Sequence, residues 1–64
     1  MKRESATATV NGTTADVSPI RVNGDPYWRV RLRDIPCAAI AVPDRHDGFA
    51  TAQETANWFA RYGI

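Results

Sequence analysis

The chain has 64 residues and a net charge of only +1, so it is expected to form one domain and does not have the overall basicity of a strong nucleic-acid binder. Cys37 is its only cysteine and His46 its only histidine, which excludes an internal disulfide and a structural zinc site. With no apolar run near the roughly 20 residues that span a bilayer, and no secretory signal after the basic start, we expect a cytoplasmic protein without a membrane partner.

The first part of the chain predicts a hairpin. Residues 1–5 are polar and are expected to be disordered, whereas 6–10 (ATATV) alternates with the period of two that is typical of a strand. Asn11-Gly12 is the strongest short-range signal for a two-residue hairpin turn, and 13–17 (TTADV) is the predicted return strand. Pro19 cannot donate a hydrogen bond to a sheet, so we expect this strand to lie at an edge, or to end or bulge there.

The middle of the chain contains the clearest strand. A short extended segment at 20–22 and a second turn cluster at 23–26 (NGDP) lead into 27–33 (YWRVRLR), which alternates strictly between apolar and basic residues after its first tyrosine. The apolar segment 37–42 (CAAIAV) is the next predicted strand, and 43–48 is a loop by composition.

The last predicted element is a helix. Thr51 and Glu54 have the spacing of a capping box, in which the threonine hydroxyl accepts from the Glu54 backbone N–H, and Gly63 suits the end of a helix. Because the strands come first and the helix last, the predicted fold class is α+β: an antiparallel three- to four-stranded sheet packed against one C-terminal helix, in a single domain over residues 6–64. The predicted core consists of Val10, Val17, Ile20, Val22, Trp28, Val30, Leu32, Ile40, Val42, Phe49, Ala56, Phe59 and Tyr62.

A single helix covers only one face of such a sheet, so the other face stays open. If the apolar residues of 27–33 point towards the helix, the alternate residues stand on the open face, next to the small residues Cys37, Ala39 and Ala41 of the neighbouring strand. The side chains expected on the open face are Tyr27, Arg29, Arg31 and Arg33. Alternate strand residues lie about 6.6–6.8 Å apart, or roughly two base-pair steps, so these arginines could follow a DNA groove.

Three consecutive segments carry a family resemblance. They are an aromatic and basic strand (YWRVRLR), an apolar strand (AAIAV) and a loop into GFATAQETANWFARY, with a glycine, aromatic, threonine, acidic and alanine pattern at the helix start. This pattern, over residues 27–62, resembles the DNA-binding domains of plant ethylene-response factors and the arm-binding domains of tyrosine recombinases, in which a three-stranded sheet lies in the major groove. The resemblance implies a small DNA-binding module, of the kind found in phages and mobile elements, that contacts double-stranded DNA. The contact residues that it implies are Tyr27, Arg29, Arg31 and Arg33.

Two other interpretations use the same residues. An arginine from 29–33 paired across strands with Asp16 or Asp34 would make the basic face a solvated surface of little energetic weight. Alternatively, the chain is a protein-binding adaptor or inhibitor that uses the sheet face or an exposed strand edge. Trp58 lies at the border of the apolar arc of the helix, and its exposure would suggest contact with a protein partner or a homodimer.

The sequence contains no recognisable catalytic or cofactor motif. His46, between two aspartates, is interpreted as part of a solvated turn rather than as a metal ligand, and Cys37 as a small buried hydrophobic residue. Neither a nucleophile with an adjacent base nor a phosphate-binding loop is present. We therefore expect no enzymatic activity, no metal and no cofactor.

Overall fold

The computed structural model describes residues 4–35, 39–44 and 49–63. Within them, four strands form one antiparallel sheet whose spatial order is the chain order: β1 (Ala6–Val10), β2 (Thr13–Val22), β3 (Asp25–Leu32) and β4 (Ala39–Pro43). One helix, α1 (Ala52–Tyr62), follows the sheet. The predicted α+β class is confirmed, with four strands in the sheet.

Two tight turns of the same kind join the first three strands. Asn11 and Gly12 have φ angles of 51° and 82°, and Asn23 and Gly24 have φ angles of 52° and 85°. Positive φ at both central residues defines the type I′ turn, whose twist matches that of the flanking strands. The first turn is confirmed as predicted, whereas the second is limited to Asn23-Gly24 because Asp25-Pro26 already belongs to β3.

β2 continues through Pro19 without a break or a bulge. Its pairing with β3 runs in one unbroken register from Ala15 opposite Leu32 to Val22 opposite Asp25, and β2 is an interior strand of the sheet. The prediction that Pro19 places the strand at an edge, ends it or bulges it is therefore wrong for the strand as a whole. The physical reason is the extent of β1: its first residue, Ala6, lies opposite Val17, so at Pro19 the β1 side of β2 has no paired strand that needs an N–H donor.

The helix packs mainly on β1 and β2. Thr51 caps it as predicted, because its hydroxyl accepts a hydrogen bond of 3.1 Å from the backbone N–H of Glu54. Gly63 ends it with a φ of 78° but an extended ψ, and its N–H donates to the carbonyl of Phe59 at 2.8 Å. The contact surfaces are rich in alanine on both sides, which lets the helix backbone approach the sheet closely. The buried alanines are Ala8, Ala15, Ala52, Ala56 and Ala60.

Three residues of the predicted core lie outside the observed core. Ile20 and Val22 were expected beside Val17, but they lie on the opposite face of β2 because the strand is continuous and residues an odd number apart point in opposite directions. Tyr62, expected in the core, is 65% exposed, because it lies at the edge of the helix face that the sheet covers. The other predicted core positions are buried or are half-buried against the core: Val10, Val17, Trp28, Val30, Leu32, Ile40, Val42, Phe49, Ala56 and Phe59.

Several predictions fall on residues outside the described ranges. They concern the disorder of residues 1–3, the burial of Cys37 and the turn around His46. Glu4 and Ser5, which are described, are exposed and belong to no strand or helix. Of the residues in the described ranges, none forms a helix with the length and hydropathy needed to cross a bilayer.

Candidate nucleic-acid interface

The side chains of β3 divide between the two faces of the sheet. Trp28, Val30 and Leu32 are buried beneath α1, whereas Arg29 and Arg31 are exposed on the opposite side. We call the side of the sheet that bears α1 the covered face and the other side the open face. Tyr27, also on the open face, is half-buried. Of the four alternate positions predicted to lie on this face, the three within β3 are thus observed there, and Arg33 follows the end of the strand.

The N-terminal strands widen the open face and do not cover it. β1 and β2 pair edge to edge with each other and with β3, so they lie in the same layer as the arginines. Their residues on the open face are mostly short and polar, and include Thr7, Thr9, Thr14 and Ser18. Within the described ranges, Arg29 and Arg31 are therefore left accessible by the strands that precede them.

Arg29 has small neighbours on both adjoining strands. The sheet register places it opposite Ser18 on β2 and opposite Ala41 on β4. Arg31, one step along, lies opposite Asp16 and Ala39. Since Arg side chains are much longer than Ser or Ala, the guanidinium groups stand above the surface as a ridge along β3, which we call the arginine ridge (Arg29 and Arg31).

Arg33 has a different environment from the two arginines of the ridge. It follows the end of β3, and its guanidinium group holds Asp16 in a two-pronged contact, with Nε to Oδ2 at 2.8 Å and Nη2 to Oδ1 at 2.9 Å. The Thr7 hydroxyl donates to the same carboxylate at 2.9 Å. One of the two carboxylates considered as partners for the arginines, Asp16, is thus engaged, and Arg33 is the arginine that engages it.

This contact also changes the acidity of Asp16. The hydrogen bonds from Arg33 hold the pKa of the Asp16 carboxyl below its ordinary value of 3.8, against the opposing effect of desolvation. The Thr7 hydroxyl and the charges of Arg33 and Arg31 lower the pKa further. Because the Arg33 side chain is 62% exposed and that of Asp16 31%, the pair is screened by water and contributes little to stability.

Arg29 and Arg31 have no such partner in the described part of the chain. Neither guanidinium group forms a hydrogen bond or an ion pair with another described residue, although Arg31 contributes to the field at Asp16. Arg31 and Arg33 also border an open depression of about 450 Å³ at the end of β3, lined in addition by Asp16, Leu32 and Ile35. Among the described residues, the site therefore combines two guanidinium groups that have no hydrogen-bonded carboxylate with a third that is paired with Asp16.

The contact of Asp16 with an arginine of 29–33 could have been predicted from the sequence. Once Asn23-Gly24 is interpreted as a two-residue turn, Val22 must lie opposite Asp25, and counting back along both strands places Asp16 opposite Arg31. Arg33 is then a diagonal neighbour of Asp16, within reach of a long side chain. The sequence pattern alone does not decide which of the two arginines binds the carboxylate.

Comparison with known proteins finds no match: no family model, no curated protein and no solved structure is significantly similar to this chain. The resemblance of residues 27–62 to ethylene-response-factor and recombinase arm-binding domains stays a prediction. It concerns β3, β4 and α1, and it leaves β1 and all of β2 without a counterpart.

Proposed function

We propose that this chain is a small, non-enzymatic DNA-binding module that contacts double-stranded DNA through the open face of its sheet. Arg29 and Arg31 make the principal contacts, with Tyr27 beside them. Arg33 holds Asp16 and adds to the contact when that carboxylate is displaced. A cytoplasmic location and an origin in a phage or mobile element belong to the same proposal.

The observation that carries this proposal is the arginine ridge on a low surface. The B-DNA major groove is about 12 Å wide, and adjacent strands are about 4.8 Å apart, so a ridge one strand wide with short neighbours can enter the groove. Ser18 and Ala41, on the two sides of Arg29, leave space for the groove walls. A guanidinium group can fork onto guanine O6 and N7 or onto a phosphate, which suits either base or backbone contact.

The charge distribution supports the same proposal. The chain as a whole carries only +1, but residues 21–33 hold four arginines and one aspartate. Asp16 is hydrogen-bonded to Arg33, whereas Arg29 and Arg31 have no hydrogen-bonded carboxylate among the described residues, so positive charge is concentrated on the centre of the open face. A local cationic patch of this kind attracts a polyanion even when the net charge of the protein is small.

The experiment is a mobility shift with mixed-sequence duplex DNA at about 50 mM salt, repeated at rising salt. We expect Arg29→Ala and Arg31→Ala each to weaken binding, and the double variant to reduce the slope of log K against log salt by about 1.8, because each phosphate-neutralising charge contributes about 0.9. The matched control is Arg21→Ala, which removes the same charge from the covered side of β2, where the Arg21 guanidinium donates to the Gly24 carbonyl at 3.0 Å.

Three results decide the matter. Weaker binding by the ridge variants, with Arg21→Ala close to the parent protein, supports the proposal. Equal loss in all three variants shows attraction without a defined face and contradicts it. An absence of binding by the folded protein at low salt overturns the proposal and leaves the adaptor function as the alternative.

The adaptor function is favoured by one specific observation. Of the described strands, β1 and β4 each have a neighbour on one side only, so each offers a row of backbone groups to an added strand. A protein partner bound in this way would resist salt and would be insensitive to Arg29→Ala and Arg31→Ala. The salt series above therefore separates the two functions.

A further inference from the structure

The solvent-facing side of α1 carries a second exposed surface, on the opposite side of the molecule from the arginine ridge. Trp58 is 46% exposed and Tyr62 65% exposed, and their rings contact each other with centroids 4.8 Å apart. A groove of about 520 Å³ runs beside them, lined by Val10, Glu54, Asn57, Trp58, Arg61 and Tyr62. Two large aromatic side chains exposed next to each other form an apolar patch of the kind that serves as an interaction surface in other proteins.

The rest of this surface indicates what binds there. Glu54, Trp58 and Tyr62 follow one another at intervals of four residues, and Arg61 adjoins them, so the four side chains share an arc of about 100° on the helix. Along the helix axis, Glu54 lies in the first turn and Arg61 in the last turn, with Trp58 between them. We call this surface the Trp58 strip (Glu54, Trp58, Arg61 and Tyr62).

The Trp58 strip is complementary to itself. If a second α1 packs antiparallel against it with the two-fold axis beside Trp58, the N-terminal part of each helix lies against the C-terminal part of the other. Glu54 of each copy then lies next to Arg61 of the other copy, and the two Trp58 rings meet at the centre. The same two charges that would repel a parallel copy thus form two symmetrical pairs in the antiparallel arrangement.

We propose that the Trp58 strip is the contact between two copies of this chain in a two-fold symmetric dimer. The dimer covers the exposed aromatic rings and adds buried apolar area to a domain whose small size limits the core that one chain can form. The arginine ridges of the two copies stay uncovered, because α1 and the open face lie on opposite sides of the sheet. The dimer is thus independent of the DNA-binding proposal.

The test reverses each of the two charges in a separate variant. Glu54→Arg places like charges at both contacts of a homodimer, and so does Arg61→Glu, so each variant alone should associate more than about tenfold more weakly than the parent protein. In an equimolar mixture, each contact again joins opposite charges, so a one-to-one heterodimer should form. Sedimentation velocity of each variant and of the mixture, at concentrations up to about 1 mM where weak complexes are populated, measures this directly.

Matched controls use the neighbouring position on the same helix. Gln53 is exposed but does not line the groove, so Gln53→Arg and Gln53→Glu add charge to α1 outside the Trp58 strip and should leave association unchanged. Circular dichroism verifies that every variant folds. If the charge variants do not fold, dilution of the unmodified protein, followed by amide chemical shifts, provides the readout, and the proposal requires concentration-dependent shifts that cluster at residues 54–62.

The outcomes that overturn the proposal are specific. A parent protein that stays monomeric over the whole concentration range contradicts it. So does a dimer that forms equally well in both single charge variants, since its contact must then lie elsewhere. Two folded variants that stay monomeric after mixing would show that Glu54 and Arg61 do not meet across the contact.

Discussion

The two faces of this sheet are made by the same strands and have opposite properties. On the covered face, Val17, Val30 and Leu32 are at most 1% exposed, and the helix that packs on them contributes alanines and Phe59. On the open face, alternate residues of the same strands are exposed or half-buried, and they include the two arginines as well as the apolar Ile20 and Val22. One face therefore supplies the stability of the domain, while the other can change its side chains at little cost, which makes it the face where a binding function can be located.

The largest expected effect separates the two faces by stability. Leu32→Ala should lower the free energy of unfolding by about 2–5 kcal/mol, because it removes a fully buried side chain and leaves a cavity. Arg29→Ala, three positions away on the open face, should change it by no more than about 0.5 kcal/mol. Urea unfolding followed by circular dichroism measures both. Similar losses in the two variants would show that the open face also carries stabilising contacts.

A smaller effect tests how the segment before the helix is fixed to the covered face. The Trp28 indole N–H donates to the Phe49 carbonyl at 2.7 Å, and Phe49 stacks on Phe59 with ring centroids 5.5 Å apart. Trp28→Phe should therefore cost about 1–3 kcal/mol, since it leaves a partly buried carbonyl without this donor. Trp58→Phe is the control, because Trp58 is half-exposed and should cost less in the same thermal unfolding assay. Equal costs would mean that the hydrogen bond contributes nothing.

A small loss of stability is also expected at Asp16, where the affinity for DNA should change in the opposite direction. Asp16→Asn should lower the free energy of unfolding by at most about 1 kcal/mol at neutral pH, because the pair with Arg33 is exposed to water. The variant should nevertheless bind DNA more tightly than the parent protein and with a steeper salt dependence, since it releases one guanidinium group. Weaker binding by Asp16→Asn would show that Asp16 positions Arg33 for the contact.

The contribution of Asp16 to the stability of the fold should depend on pH. The folded protein holds the Asp16 pKa below the ordinary value of 3.8, so the stabilisation from this carboxylate is complete above that value and is lost as the pH falls through the lower pKa of the folded state. The stability difference between the parent protein and Asp16→Asn should thus shrink towards zero in strong acid. Unfolding curves between about pH 2 and pH 6 cover the window. A difference that grows on acidification would contradict the assignment.

Local signals in the sequence were enough to predict most of the fold. The Asn11-Gly12 turn, the strict alternation of 27–33 and the capping residue Thr51 each depend on a few neighbouring residues. The turn and the cap are confirmed, and so is the strand as far as Leu32. The division of β3 between a buried apolar side and an exposed basic side follows from the alternation in the same way.

The errors arose where a residue depends on elements distant in the chain. Pro19 interrupts a sheet only if the backbone position that lacks an N–H faces another strand. Whether it does depends on where β1 begins, which is at Ala6, opposite Val17. The misplacement of Ile20 and Val22 follows from the same point. Ala8 and Ala15 are absent from the predicted core, yet they are buried where α1 approaches β1 and β2. For the candidate site, the alternation placed the arginines, whereas the pairing of Arg33 with Asp16 depends on side-chain geometry across two strands.

The two-residue turn at Asn23-Gly24 has a consequence for the kinds of mutation that this chain can accept. Substitutions on the open face are tolerable, but an added or deleted residue between Val22 and Asp25 would shift β3 by one position relative to β2 and rotate every β3 side chain to the other face. Arg29 and Arg31 would then face α1, and an unpaired buried charge costs several kcal/mol. The fold therefore tolerates exchange of the exposed β3 side chains, whereas a change in the length of the turn would alter which β3 residues face α1.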